Sequence, residues 1–205
     1  MLIRLMSSII YVFFFIYVIL HNNPTLFYLF TSMLIMGSIL EVIKFKKMPF
    51  KNIVHIFLII YITTSLLILI KIKLIEHGEV LLFILLSQIW ASDLGGYLIG
   101  SFGKYHFSQI SPNKTYEGLI GSVIFCVTTG LIAQALTPSY VEIKAIKTSC
   151  IICVSSILGD LIMSKIKRLN HKQNSGFFLP GHGGFIDRLD SLFLATPIYY
   201  LSICI

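Results

Sequence analysis

Residues 53–72 read IVHIFLIIYITTSLLILIKI, and this run decides the fold. It holds one residue that is charged at neutral pH, Lys71, and that residue lies near its end. A helix needs about 20 mostly apolar residues to cross the hydrocarbon core of a bilayer. The run has this length and composition, so it predicts a transmembrane helix.

Apolar runs of similar length recur along the whole chain. They predict seven transmembrane helices, at residues 2–20, 26–43, 53–72, 79–100, 118–137, 147–167 and 188–205. Overall, 56% of the residues are hydrophobic and 12% are charged, whereas about 25% are charged in a soluble domain. The sequence therefore predicts an all-α, polytopic membrane helix bundle that forms a single membrane domain over residues 1–205, and it argues against a water-soluble fold.

The positive charges divide unevenly between the two sides of this arrangement. Twelve of the 16 Lys and Arg residues fall at the N-terminus or in the second, fourth and sixth connections, and four fall on the other side. Since basic connections stay in the cytoplasm, we expect a cytoplasmic N-terminus and two long polar connections, 101–117 and 168–187, on the cytoplasmic face. The net charge of +7 lies between apolar runs, which favours anionic lipid head groups and a phosphorylated substrate over nucleic acid as partners.

Two aspartates, Asp93 and Asp160, lie inside the fourth and sixth predicted spans. Acidic residues are costly in a membrane, so each needs a partner or a function. A single one is well explained as a structural polar contact, but two, each within two residues of a glycine and followed by polar connections on the same side, favour a functional site. Glu41 lies near the end of the second span, where we expect its carboxylate to extend to the interface.

Further polar residues cluster around the sixth connection. Four residues at helical offsets of 0, 4, 7 and 8 share one face of the sixth span: Asp160, Ser164, Lys167 and Arg168. Asp187 and Asp190 lie three apart at the start of the last span. Capping of that helix is the simpler interpretation of these two carboxylates. The alternative is a site, completed by Asp160, for a hard cation such as Mg²⁺, which takes one or two carboxylates with phosphate oxygens and water.

Two loop segments offer groups that bind phosphate. In residues 181–184, Gly-His-Gly-Gly, the glycines leave backbone N–H groups accessible to an anion. Ser111, Lys114 and Thr115 supply two hydroxyls and an ammonium just before a helix. This second segment lacks the glycine spacing of a P-loop. It is a candidate for the site because it is predicted to lie on the same face of the membrane as the first segment.

The run 164–190 resembles the signature of the phosphatidate cytidylyltransferases, also called CDP-diacylglycerol synthases. The positions that match in register are Ser164, Lys167, Arg168, Gly176, Leu179, Pro180, His182, Gly183, Gly184, Asp187, Arg188 and Asp190. Trp90 to Tyr97 and Ser111 to Gly118 resemble two further stretches of that family. The resemblance covers a catalytic region at residues 86–195, whereas residues 1–80 hold N-terminal spans without a signature.

The resemblance implies a nucleotidyltransferase of phospholipid biosynthesis that transfers CMP from CTP to phosphatidic acid and gives CDP-diacylglycerol and pyrophosphate. It implies a multi-pass protein of the inner, cytoplasmic membrane with its active site facing the cytoplasm, and it suggests a homodimer. It also implies a two-metal site in which Asp160 and Asp187 bind Mg²⁺ and a second cation, for which monovalent K⁺ is the candidate.

Further roles follow from the same resemblance. Asp190 and Asp93 support the metal ligands. Lys167, Arg168 and Arg188 neutralise phosphates. The residues implied to hold CTP are Asp93, Ser111, Lys114, Thr115, Ser164, Gly183 and Gly184. His182 is expected to shape its turn or donate a hydrogen bond, because the attacking lipid phosphate is already an anion and needs no general base.

Three alternatives stay open on the sequence. Gln173-Asn174 stand where the family has Lys-Asp, which allows a poorly active homologue. Another CTP-dependent lipid enzyme, of the polyprenol kinase type, should lack the run H-G-G-x-x-D-R-x-D that begins at His182. A small ion-coupled transporter using Asp93 and Asp160 should carry charges throughout the membrane depth and an access loop on the far side.

Overall fold

The computed structural model describes residues 12–21, 23–45, 50–106, 111, 114–137, 145–172, 174–176 and 183–204. Within these residues the chain forms helices and no strand, apart from an isolated antiparallel bridge between His106 and Thr115. The helices are α1 (12–20), α2 (Pro24–Ile43), α3 (Lys51–Leu74), α4 (Gly78–Gly100), α5 (Tyr116–Leu136), α6 (Ala145–Leu169) and α7 (Ile186–Cys204). The predicted all-α class is confirmed for the described residues.

Five of these helices are long and apolar enough to cross a membrane. They are Pro24–Ile43, Asn52–Leu74, Gly78–Gly100, Tyr116–Leu136 and Ala145–Leu169. At 1.5 Å per residue a 20-residue helix is about 30 Å long, which is the thickness of the hydrocarbon core. The chain is therefore a multi-pass membrane protein. The predicted first and last spans correspond to α1 and α7, which are not among these five, so the count of seven spans stays a prediction.

Helices α2 to α7 start one or two residues before the predicted spans, and side-chain caps set the starts of α2 and α5. Asn23 accepts a hydrogen bond from the backbone N–H of Thr25, and proline occupies the first position of α2. Thr115 does the same for the N–H of Gly118 at the start of α5. Such caps satisfy backbone donors that have no partner within the helix.

The chain divides into two compact units, one of Met1–Phe83 with Ile166–Asp190 and one of Ile84–Lys165 with Ser191–Ile205. In the first unit, α2 packs against α3. The buried residues of α3 recur every three or four positions, at Leu58, Ile62, Leu66, Leu69 and Ile72. Its exposed residues include Ile53, Ile56, Phe57 and Ile60. A helix that is apolar on both its packed and its exposed face is typical of a membrane span.

In the second unit, small residues bring α4 and α5 close together. A Cβ at Gly95 would overlap the carbonyl oxygen of Gly121, and one at Gly121 would overlap that of Gly95. The Ser122 hydroxyl donates a hydrogen bond to the Ser92 carbonyl across the same contact, at 2.8 Å. Close backbone approach at small residues is a common way to pack helices in a membrane. The contact fixes the part of α4 that carries Asp93.

Replacing Gly95 with leucine is expected to destabilise the protein by about 1–3 kcal/mol or more, because the new side chain must push the two backbones apart. The measurement is thermal unfolding in detergent with a thiol-reactive dye, since Cys126 and Cys153 are buried and become reactive on unfolding. Leu94→Val is the matched control, because Leu94 is an exposed neighbour on the same helix. An unfolding temperature for Gly95→Leu equal to that of the control would contradict the packing described here.

Candidate active site

A cavity of about 270 Å³ lies among α4, α5, α6 and the segment before α5 in the second unit. Its polar lining residues are Ser92, Asp93, Ser111, Lys114, Thr115, Ser122 and Asp160. We call Asp93, Ser111, Lys114, Thr115 and Asp160 the cavity cluster. All five were predicted as site residues from three separate stretches of sequence, and the structure brings them to one cavity.

An ion pair lies at the centre of the cavity cluster. The Lys114 ammonium contacts Oδ2 of Asp160 at 2.5 Å, and both side chains are partly exposed. The Ser164 hydroxyl donates to Oδ1 of the same carboxylate at 3.1 Å, so the predicted shared face of Asp160 and Ser164 is confirmed. Each oxygen of Asp160 thus has a polar partner, and the accessible carboxylate faces a space that a ligand can enter.

The cavity cluster offers a donor set of the kind that Mg²⁺ prefers. Asp93 and Asp160 supply carboxylate oxygens to the same cavity, and Ser111 adds a hydroxyl. Mg²⁺ is bound by one or two carboxylates together with phosphate oxygens and water. The residues therefore fit Mg²⁺ with a phosphorylated ligand. Among the described residues no three His, Cys, Asp or Glu side chains gather as a metal site.

Backbone and side-chain contacts hold the segment that carries Lys114. The N–H of Lys114 donates to the Ser111 carbonyl at 3.0 Å. Thr115 is buried, and its hydroxyl accepts from the Gly118 N–H at 3.1 Å and lies 3.3 Å from the Gly100 carbonyl. The Thr115 hydroxyl is thus the cap of α5, while Lys114 and Ser111 are only half-buried. That these residues hold CTP stays a prediction.

A second cluster lies in the first unit, where one lysine joins two aspartates. The Lys167 ammonium lies 2.9 Å from Oδ1 of Asp187 and 3.2 Å from Oδ2 of Asp190. Lys167 and Asp190 are buried. We call these three residues the lysine–aspartate cluster. The predicted shared face of Asp187 and Asp190 is confirmed by their common contact, and Lys167 neutralises carboxylates here.

The other oxygen of Asp187 is held by a loop. Oδ2 accepts the backbone N–H of Ser175 at 2.8 Å, the N–H of Gly184 at 3.0 Å, and lies 3.0 Å from the Ser175 hydroxyl. Gly183 has φ +88°, and a Cβ there would overlap this oxygen. Partial burial alone would raise the pKa of Asp187, but the Gly184 N–H, the Lys167 ammonium and the Ser175 N–H outweigh it and lower that pKa. Asp187, which precedes the predicted span 188–205, is therefore held as an anion.

The expectation that Glu41 extends to the interface is wrong. Its side chain is fully buried, and its carboxylate accepts the N–H groups of Phe185 at 2.8 Å and Ile186 at 3.1 Å and the Ser175 hydroxyl at 2.6 Å. These hydrogen bonds offset the loss of hydration that burial of the carboxylate costs. The signal was present in the sequence, since an acidic residue within an apolar run is a candidate for function.

The remaining predicted residues have less defined surroundings. Arg168 is exposed and donates to the Lys172 carbonyl at 3.3 Å. Arg188 is exposed in the first turn of α7. His182 lies outside the described residues. Asp160 and Asp187 belong to different units, so their joint role as metal ligands stays a prediction.

Comparisons with known proteins agree with the sequence motifs. Residues 2–205 match the profile of the cytidylyltransferase family. The uncharacterized protein YnbB of Escherichia coli is 37% identical over 63% of this chain and 44% of its own length. The phosphatidate cytidylyltransferase of Bacillus subtilis is 34% identical over 63% of this chain and 49% of its own. That of Rickettsia bellii is 32% identical over 96% of this chain and 88% of its own. The chain thus spans less than half of the first two relatives and most of the third.

Proposed function

Because the chain belongs to the cytidylyltransferase family, we propose that it transfers CMP from CTP to phosphatidic acid and releases pyrophosphate. Relatives named for this activity support the choice of lipid substrate. The family match favours neither a polyprenol kinase nor an ion-coupled transporter.

The observation that carries the proposal is the Lys114–Asp160 ion pair in the cavity cluster. It joins a lysine from the Ser111–Gly118 stretch to an aspartate of the α6 face. Both residues were predicted as site residues from the sequence. The Lys114 ammonium neutralises phosphate charge, and the two carboxylates would hold Mg²⁺. Nucleotide phosphates need this charge neutralisation together with fixed geometry.

In the proposed reaction an oxygen of the lipid phosphate attacks the α-phosphorus of CTP. A new phosphoanhydride bond forms, the bond between the α- and β-phosphates breaks, and the electron pair leaves with pyrophosphate. The nucleophile is already an anion, so no side chain has to remove a proton. Lys114 and Ser111 bind phosphate oxygens of CTP, and Arg168 and Arg188 neutralise the phosphates.

We assign Asp160 and Asp187, supported by Asp93 and Asp190, to hold Mg²⁺ and a second cation such as K⁺. When bound, the metal stabilises negative charge on the phosphate oxygens. Lys114 forms an ion pair with Asp160, and Lys167 forms ion pairs with Asp187 and Asp190. In the proposed reaction each lysine exchanges a carboxylate partner for a phosphate when substrate binds. Lys167 has the smaller freedom to do so because it is buried between two aspartates.

The active site is proposed to face the cytoplasm from an inner membrane, with the N-terminus inside and seven spans. The uneven distribution of Lys and Arg supports this orientation. The homodimer stays a prediction, for which light scattering of the detergent-solubilised protein is the test.

The orientation predicts opposite labelling of two exposed positions in a chain whose four native cysteines are replaced by serine. A membrane-impermeant maleimide should label His77→Cys in intact cells and Phe102→Cys only after permeabilisation. Both side chains are exposed, so access to the reagent, not burial, decides the result. Labelling of Phe102→Cys in intact cells would contradict the cytoplasmic placement.

The function is tested by following two phosphates of CTP separately. Purified protein is incubated with phosphatidic acid, Mg²⁺ and CTP labelled at either the α- or the γ-phosphate. Cytidylyl transfer puts the α label into lipid and the γ label into pyrophosphate. A kinase would put the γ label into lipid, and label in lipid from neither position would contradict the proposal.

A further inference from the structure

Glu41 lies in a part of the chain that carries no signature, yet it contacts the loop of the lysine–aspartate cluster. It is on α2, and its partners follow it by 134 to 145 residues. The side chain is fully buried. A charged group at such a position is costly unless its hydrogen bonds are complete.

Two segments of the loop enclose this carboxylate. The N–H groups of Phe185 and Ile186, at the start of α7, donate to Oε1 and Oε2 respectively. A Cβ at Gly176 or at Gly184 would overlap the carboxylate oxygens. The glycines therefore let the backbone approach closely, and the contact fixes the start of α7 from which Asp187 projects.

Ser175 links Glu41 directly to Asp187. Its hydroxyl lies 2.6 Å from Oε2 of Glu41 and 3.0 Å from Oδ2 of Asp187. Since a hydroxyl carries one proton, the two carboxylates share it. The backbone N–H of Ser175 also donates to Asp187 at 2.8 Å, so a shift of Ser175 moves two of the contacts that orient that side chain.

We infer that Glu41 is a positioning residue that acts through Ser175 and the start of α7 to set the orientation of Asp187, an inference that rests on the proposed function for its effect on catalysis. Glu41 itself does not touch a reacting group. Its role is to hold the Asp187 carboxylate in one orientation before a ligand binds.

The test uses the full-length protein with Glu41→Gln and Ser175→Ala, singly and together. Glutamine has nearly the shape of glutamate but replaces one acceptor oxygen by an NH₂ group that faces donors. The expected result is a kcat lower by about 10- to 100-fold, as for residues that orient a metal-binding side chain. The KM for CTP and for phosphatidic acid should stay within about 3-fold, because the lost orientation matters in the transition state. The double variant should lose no more than the worse single variant, since both changes cut one chain of contacts.

Hydrogen exchange gives a second measurement that does not need activity. Glu41→Gln should speed exchange of the amides at residues 183–187, which Thr31→Val should leave unchanged. Thr31 is a matched control because it is buried on the same helix and its hydroxyl donates to the Phe27 and Tyr28 carbonyls of that helix. Unchanged exchange at 183–187, or a kcat that falls only as far as the folded fraction does, would overturn the inference. An inactive wild type would contradict the proposed function alone, and the exchange data would still decide whether Glu41 holds the loop.

Discussion

Asp160→Asn is expected to lower kcat/KM for CTP by about 100- to 1,000-fold, the loss typical when one preorganised charge-stabilising group is removed from an active site. Asparagine keeps the shape of the side chain but loses the charge that pairs with Lys114. It also removes one of the two carboxylates that face the cavity. The ammonium of Lys114 is then drawn to phosphate without its counter-ion, so ground-state binding falls less than turnover. Steady-state kinetics with phosphatidic acid at saturation measures the effect.

Leu158→Val is the matched control for this substitution. Leu158 lies two residues before Asp160 on α6 and is exposed, so the variant changes the same helix without changing the cavity cluster. Its kcat/KM should equal that of the wild type. A value for Asp160→Asn within about 3-fold of the control would remove Asp160 from the chemistry, because the lost transition-state stabilisation would be less than about 1 kcal/mol.

Lys167→Met is expected to cost about 3–5 kcal/mol of stability, the cost of leaving buried charges without their partner. Lys167 is the ammonium between Asp187 and Asp190, and methionine fills a similar volume without a charge. The two carboxylates would then repel each other at the start of α7. Thermal unfolding in detergent is the measurement, with Arg168→Met as the control for stability alone, because Arg168 is the exposed neighbour.

A triple variant separates repulsion from simple loss of contact. Adding Asp187→Asn and Asp190→Asn to Lys167→Met should recover much of the lost stability, since replacing all members of a buried charge cluster is often nearly neutral. If Asp187 is a catalytic residue, the triple variant should regain stability and remain inactive. Equal stability of Lys167→Met and Arg168→Met would contradict the description of Lys167 as the partner of both aspartates.

The fold was predictable from sequence to the extent that hydropathy controls it. Apolar runs located α2 to α7 within two residues at every end, because a span must match the membrane thickness. The offsets at Pro24 and Tyr116 arise from capping by Asn23 and Thr115, which window-averaged hydropathy cannot detect. Which residues share a helix face was also predictable from the helical repeat, as the hydrogen bond between Ser164 and Asp160 shows.

The partners of the site residues were less predictable, because they depend on contacts between distant parts of the chain. Spacing placed Lys114 and Asp160 in motifs, but their ion pair joins residues 46 positions apart. The sequence predicted that Lys167 neutralises phosphates. In the structure its ammonium forms ion pairs with Asp187 and Asp190 in the first two turns of α7. Glu41 was the clearest miss, since its partners include backbone N–H groups that leave no trace in residue identities.

The proposed function is tested most directly by formation of CDP-diacylglycerol from CTP and phosphatidic acid. The assay compares the purified wild type with Asp187→Asn, each with and without Mg²⁺. Unfolding temperatures measured alongside show whether each preparation is folded. Product is expected from the wild type only when Mg²⁺ is present, and none above background from a folded Asp187→Asn variant. Equal product from the two proteins, or none from a folded wild type, would contradict it.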